Sequence, residues 1–137
     1  MIYPIYQFFK NLIKEVVGES NVQWHNTQFA GVITSGGIVL VEILEANFTQ
    51  MIKEGQAFNV VVRLRYVTKG MSSQNGTITD SMLEKHEEEA GRVCEAIEGQ
   101  VYEMNGKKSR KLTPAYYQTL PVSDGWLVTV IDYRVKI

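Results

Sequence analysis

The sequence predicts an α+β fold: one domain in which an antiparallel or mixed β-sheet is packed on one face by two α-helices. Three observations predict it. Apolar residues recur at helical spacing in two segments, near the start and past the middle. Two further segments, "FNVVVRLRYV" and "WLVTVIDYRVKI", alternate with the period of two that belongs to strands. The strands are joined by hairpin-length turns, which suits an antiparallel sheet with its helices on one side. A length of 137 residues favours a single domain, 1–137, and no internal repeat or linker divides it.

Taken in order, Ile5, Phe8, Phe9, Leu12, Ile13, Val16 and Val17 form an apolar stripe, with Lys10, Asn11, Lys14 and Glu15 on the other side. Pro4 suits a first helical turn and Gly18 a stop, giving a helix of roughly three to four turns. "VQWHNTQFAGVITSGG" reads as two short strands or as a strand and a loop. "GIVLVEIL", bounded by Gly36 and Gly37, is nearly all apolar, as an inner strand would be. "EANFTQMIKEGQA" fits a strand bend followed by a hairpin turn near "KEGQ".

In the strand that follows, Phe58, Val60, Val62, Leu64 and Tyr66 form one face and are expected to meet the helices. Asn59, Val61, Arg63, Arg65 and Val67 form the other. "TKGMSSQNGTITD" is loop by composition. The second helix opens with "SMLE", in which Ser81 and Glu84 have capping-box spacing. Leu83, His86, Ala90, Val93, Cys94 and Ile97 form its stripe and Gly99 its end. "QVYEM" reads as a short strand, "NGKKSRK" as a turn or loop, and "AYYQTLPVSDG" as a strand before a turn at Asp124-Gly125. The last strand alternates Leu127, Thr129, Ile131, Tyr133, Val135 and Ile137 against Trp126, Val128, Val130, Asp132, Arg134 and Lys136. The face away from the helices is then apolar at one end (Val61, Val67, Val128, Val130) and charged at the other. Either solvent or another subunit is expected to close it.

Bulk properties exclude several function classes. A net charge of −1 creates no global field for nucleic acid or an anionic membrane, so a charge-driven partner must meet a local patch. Cys94 is the single cysteine, which rules out an intrachain disulfide and fits a reducing cytoplasm. The opening "MIYPIYQFFKNLIKEVV" lacks the order of a signal peptide, and nothing approaches the ~18 apolar residues of a membrane span. A soluble, intracellular setting is expected.

No catalytic constellation emerges. His86 lies on an apolar helical stripe and reads as a hydrogen-bonded core imidazole; His25 in "QWHN" has no nucleophile signature nearby. Cys94 sits among Ala90, Val93 and Ile97 as a core thiol would. Glu87-Glu88-Glu89 reads as a solvated face. "TSGGIV" lacks the lysine and the following helix of a phosphate loop. "KKSRK", Lys107 to Lys111, is the one basic cluster, without an accompanying RNA-binding aromatic signature. Arg63 and Arg65 admit three readings: gatekeepers on a wet face, partners of Asp132 or Glu42 across strands, or subunit contacts.

The element order, with "GIVLVEIL…NFTQMIKEGQAFNVVVRLRYVT" and the late "DGWLVTVIDYRVKI", resembles the tail terminator (tail completion, minor tail) proteins of long-tailed phages and prophages. The shared pattern runs from about Gly37 to Ile137: an apolar strand, a polar bend, a glycine turn, a strand ending "R-x-x-V-T", a loop, an amphipathic helix and a closing strand with an Asp-Tyr step. The loop Thr68 to Thr79 and the basic loop Lys107 to Lys111 fall outside it. The resemblance implies a non-enzymatic virion protein with no cofactor or metal. Its subunits form a homo-oligomeric ring, typically a hexamer, that caps the tail tube protein and meets the head–tail connector or neck protein. No membrane is involved, and DNA at most passes through the ring. The setting implied is the virion tail, and the host cytoplasm during assembly.

On that reading, Arg63, Arg65, Asp132, Arg134 and the loop Lys69 to Thr77, with Lys69, Gln74 and Asn75, are the expected subunit or partner contacts. The rival is a nucleic-acid-binding α+β domain using Arg63, Arg65 and Lys107 to Lys111. An enzyme built on His25 or Cys94 ranks third.

Overall fold

The computed structural model describes residues 2–25, 37–47, 51–52, 55–56, 59–69, 78–122 and 126–137. Helix α1 (Ile2–Val17) leads to β1 (Val22–Trp24) and β2 (Ile38–Asn47). The short strands β3 (Met51–Ile52) and β4 (Gly55–Gln56) precede the long β5 (Asn59–Lys69) and helix α2 (Asp80–Ile97). Then come β6 (Glu103–Met104), β7 (Lys107–Lys108), β8 (Pro114–Val122) and β9 (Trp126–Lys136). The main sheet has the order β1-β2-β5-β9-β8, parallel between β1 and β2 and antiparallel elsewhere. The class is α+β, as the periodicities predicted. β3 and β4 pair antiparallel, Ile52 opposite Gly55, as the hairpin expected near "KEGQ" requires; residues 53–54 between them, the turn at Asp124-Gly125, the loop 70–77 and Phe58 lie outside the described residues.

Local chemistry explains most boundaries. Gly18 has φ 92°, a left-handed conformation that suits the residue ending a helix, and its N–H donates to Lys14 O at 2.9 Å. Asn105 and Gly106 both have positive φ, the combination that a two-residue hairpin between β6 and β7 demands. One expectation is corrected. The N-cap of α2 is Thr79, whose Oγ1 accepts from Met82 N–H, so Ser81 lies inside the first turn and its box with Glu84 is not the cap. Thr79 is already a good capping residue and stands two positions earlier. Leu83, placed on the stripe by periodicity, is 41% exposed; burial on α2 begins with His86.

The helices cover one face of the sheet. Ile5, Phe9 and Ile13 of α1 and Ala90, Val93 and Ile97 of α2 pack on Val60, Val62, Leu64 and Tyr66 of β5, with Ile131, Tyr133 and Val135 of β9. Phe9 meets Tyr133 at 5.9 Å between ring centroids, and Phe8 meets Tyr102 edge-on at 5.2 Å. Past the end of α2, Gly99 N–H donates to Leu112 O and Leu112 N–H to Gln100 O, folding the segment of Leu112 back to close the core.

His86 is the polar exception in this layer. Its Nδ1 lies 2.6 Å from Thr68 Oγ1 and its Nε2 2.7 Å from Thr129 Oγ1, so two hydroxyls satisfy a buried imidazole. Its ring packs 4.8 Å from that of Tyr66, whose hydroxyl donates to Glu89 Oε1 at 2.7 Å. That Tyr66 ring occupies the space where a Cβ on Gly37 would stand.

The opposite face of the sheet is not simply wet. Ile38, Leu40, Val67 and Val128 form a second apolar cluster, joined by Trp126 and Val130. The four are buried within a single chain, so this end needs no second subunit to cover it. Val61 lies at the other end of β5, opposite Arg134, apart from that cluster.

Two predictions follow from this packing. Gly37→Ala should cost about 1–3 kcal/mol in denaturant unfolding, because the Tyr66 ring must shift from a filled position. Burial pushes the His86 pKa down, outweighing the opposing pull of Glu87 and Glu89. The unfolded chain, with a histidine near pKa ~6.5, therefore binds a proton that the folded chain resists. Stability should be full above about pH 6.5 and decline as pH falls from there through the depressed native value. Urea titrations between pH 7.5 and 5, taken as about the useful window, should show that decline in the wild type and a flatter profile in His86→Gln.

Candidate interaction surfaces

Register on β5 decides the arginines. Arg63 stands opposite Glu42 of β2 on one side and Asp132 of β9 on the other. It bonds Asp132 through two parallel contacts, Nε to Oδ1 at 2.8 Å and Nη2 to Oδ2 at 2.9 Å. This fork-to-carboxylate pairing raises the Arg63 pKa despite the opposing desolvation. Glu42 is left to Arg65, at 3.1 Å, and to His25 Nε2, at 3.3 Å.

The cross-strand reading of the arginines is therefore the one the structure carries. Two guanidinium groups face two carboxylates, and their charge is neutralised inside the chain. Asp132 is itself buried, at 8% exposure, so it is unsuited to a contact with another subunit.

The other expected contact residues fare differently. Arg134 is exposed and has no ion-pair partner among the described residues. Lys69 is exposed, with its Nζ 5.4 Å from the centre of the Trp126 ring, its register partner. Gln74 and Asn75 lie outside the described residues. In the basic segment, Lys107, Lys108, Arg110 and Lys111 are all exposed, whereas Ser109 is buried and holds Tyr102 N–H on its Oγ at 2.9 Å.

His25 and Cys94 do not converge. His25 pairs with Glu42 on the face away from the helices, while Cys94 lies in the helix layer with Tyr133. Burial pushes the Cys94 thiol up, the reverse of an activated nucleophile. Among the described residues no group of three or more His, Cys, Asp or Glu could hold a metal ion, and no helix is long and apolar enough to cross a membrane.

A surface that sequence reasoning passed over is β8. It is an edge strand of nine residues, "PAYYQTLPV", without a single charge. Tyr116, Tyr117 and Leu120 are 43%, 42% and 40% exposed. Tyr117 donates to Glu87 Oε2 of α2 at 2.8 Å, and Tyr116 donates to Gln118. Pro114 and Pro121 were the available signal, since proline inside a strand places that strand at a sheet edge.

Breaking the bidentate pair should be costly. Asp132→Ala should lose about 1.5–3 kcal/mol, because Arg63 keeps a partly sheltered charge without its acceptor. A double-mutant cycle with Arg63→Met should return a coupling of about 0.5–3 kcal/mol; additive losses would show that the two side chains act independently.

No family model matches the chain, and no curated protein does. Among solved structures, it is similar to a chain from the virion of a native gene transfer agent particle. That match has a TM-score of 0.53 and 11% identity, and covers 93% of this chain and 82% of the other. A second solved chain matches with a TM-score of 0.54 at 12% identity, over 98% of this chain and 90% of its own length. At such identities the likeness establishes a shared fold.

Proposed function

We propose that the chain is a structural virion assembly protein of the tail-terminator kind. Its copies form a ring, typically a hexamer, that caps the tail tube and offers a surface to the head–tail connector. It acts in the virion tail after assembly in the host cytoplasm, without catalysis, cofactor or metal. The observation that carries this reading is the fold shared along 93% of the chain with a component of a gene transfer agent virion. The element order that resembles tail terminators supports the finer assignment.

The nucleic-acid reading retains one favourable observation, the four exposed cations of Lys107, Lys108, Arg110 and Lys111. Its other half is weakened, because Arg63 and Arg65 are engaged by Asp132 and Glu42.

Sedimentation and negative-stain microscopy of the full chain, with and without purified tail tube protein, test the proposal. Rings, or tubes capped at one end, are the expected result. A strict monomer at high concentration that ignores the tube protein would sink it. Binding to duplex DNA that weakens steeply with salt would favour the rival instead.

A further inference from the structure

Gly91 lies in the middle of α2, where glycine is less favourable than alanine because it gives up the most backbone freedom on folding. Its dihedrals are those of ordinary right-handed helix. Apart from the helix itself, no described atom stands within 4 Å of where its Cβ would be. Neither strain nor crowding among the described residues therefore calls for glycine here. A bare stretch of helix suits the close approach of something from outside.

Glutamates border that stretch. At 3.6 residues per turn, Glu88 and Glu95 lie one turn before and one turn after Gly91 on the side pointing away from the sheet, with Glu84 a further turn back. All three are exposed, and none is in an ion pair among the described residues. Lys85 and Arg92, the cations of α2, fall on the neighbouring flank, where Glu89 holds Arg92 at 3.3 Å. Glu87, on the other flank, is taken by the Tyr117 hydroxyl.

The same chain carries the complement. Lys107, Lys108, Arg110 and Lys111 are exposed and in no ion pair among the described residues; Glu103, in register with Lys108, is the one acid on their hairpin. The segment is pinned in place. Ser109 N–H donates to Tyr102 O at 2.8 Å, Ser109 Oγ accepts the Tyr102 N–H, and the Tyr102 ring packs on Phe8. The hairpin tip, Asn105-Gly106, is exposed and bears no large side chain.

We infer that the β6–β7 tip of one copy seats on α2 of the next at Gly91, setting Lys107 to Lys111 against Glu84, Glu88 and Glu95. This inference rests on the ring reading above and names its joint. Exposed ion pairs add little affinity one by one, but complementary patches fix orientation and reject wrong partners. The bare helix at Gly91 supplies the close contact between them. Each copy gives one patch and receives the other, the heterologous kind of joint from which rings are built. Pairing like patches would instead set acid against acid or cation against cation.

The test uses three variants of the full chain: Gly91→Gln, Lys107→Glu/Lys111→Glu and Glu88→Lys/Glu95→Lys, with folding checked by circular dichroism and assembly by sedimentation at low salt beside the wild type. Gly91→Gln should raise the melting temperature of the monomer by about 2–4 °C, since glutamine is the better helix former, yet abolish assembly. Each charge-reversed variant should lose assembly alone, and their equimolar mixture should recover it by alternating the two. A melting temperature that falls in Gly91→Gln would mean that the chain itself needs the glycine, and overturns the inference. If the wild type assembles while the folded variants assemble equally well, or the mixture fails to, the joint is wrong and the ring stands. A wild type that stays monomeric with tube protein overturns the ring reading and this joint together.

Discussion

Strand β5 is paired along its whole length with β9 and along nearly all of it with β2, so its two faces cannot be chosen separately. A slip of one residue would take Val60, Val62, Leu64 and Tyr66 out of the main core and drive Arg63 and Arg65 into it. Burying two guanidinium groups among aliphatic side chains would be prohibitive, so the apolar and the charged face enforce the same register. The ion pairs with Asp132 and Glu42 follow from that register, since they need opposite charge at the facing positions of both neighbours. The rest of the domain is arranged around this strand: α1 and α2 on its apolar side, a small second cluster at one end of the other.

Charge in this protein divides into an internal and an external part. Arg63, Arg65, Glu42 and Asp132 neutralise one another within the sheet. The exposed cations Lys107, Lys108, Arg110 and Lys111 and the uncharged edge strand β8 lie outside that network.

The candidate contact residues were only partly legible for the same reason. Alternation correctly placed Arg63, Arg65, Asp132 and Arg134 on one face, yet it cannot tell a solvated face from one whose charges are already paired. Arg134 stays exposed and Asp132 is buried, although they are two positions apart on the same side of β9. Strand order makes the difference: β8 and β5 flank β9, and a sequence does not say which strands are neighbours. The edge position of β8 was hinted at by its two prolines and decided by topology alone.

By itself, the sequence determined the fold class, the helical stripe of α1, the faces of β5 and β9 and a turn or loop beginning at Asn105-Gly106. Each depends on interactions within a few residues, on side-chain period or on backbone dihedrals that particular residues favour. Tertiary structure decided the rest. It made Thr79 rather than Ser81 the cap of α2, gave Arg63 to Asp132 and Arg65 to Glu42, and set Tyr66 against Gly37. It also enclosed Ile38, Leu40, Val67 and Val128 within the chain. These outcomes depend on which distant segments lie side by side, and that is settled by how whole faces pack, not by any one stretch of residues.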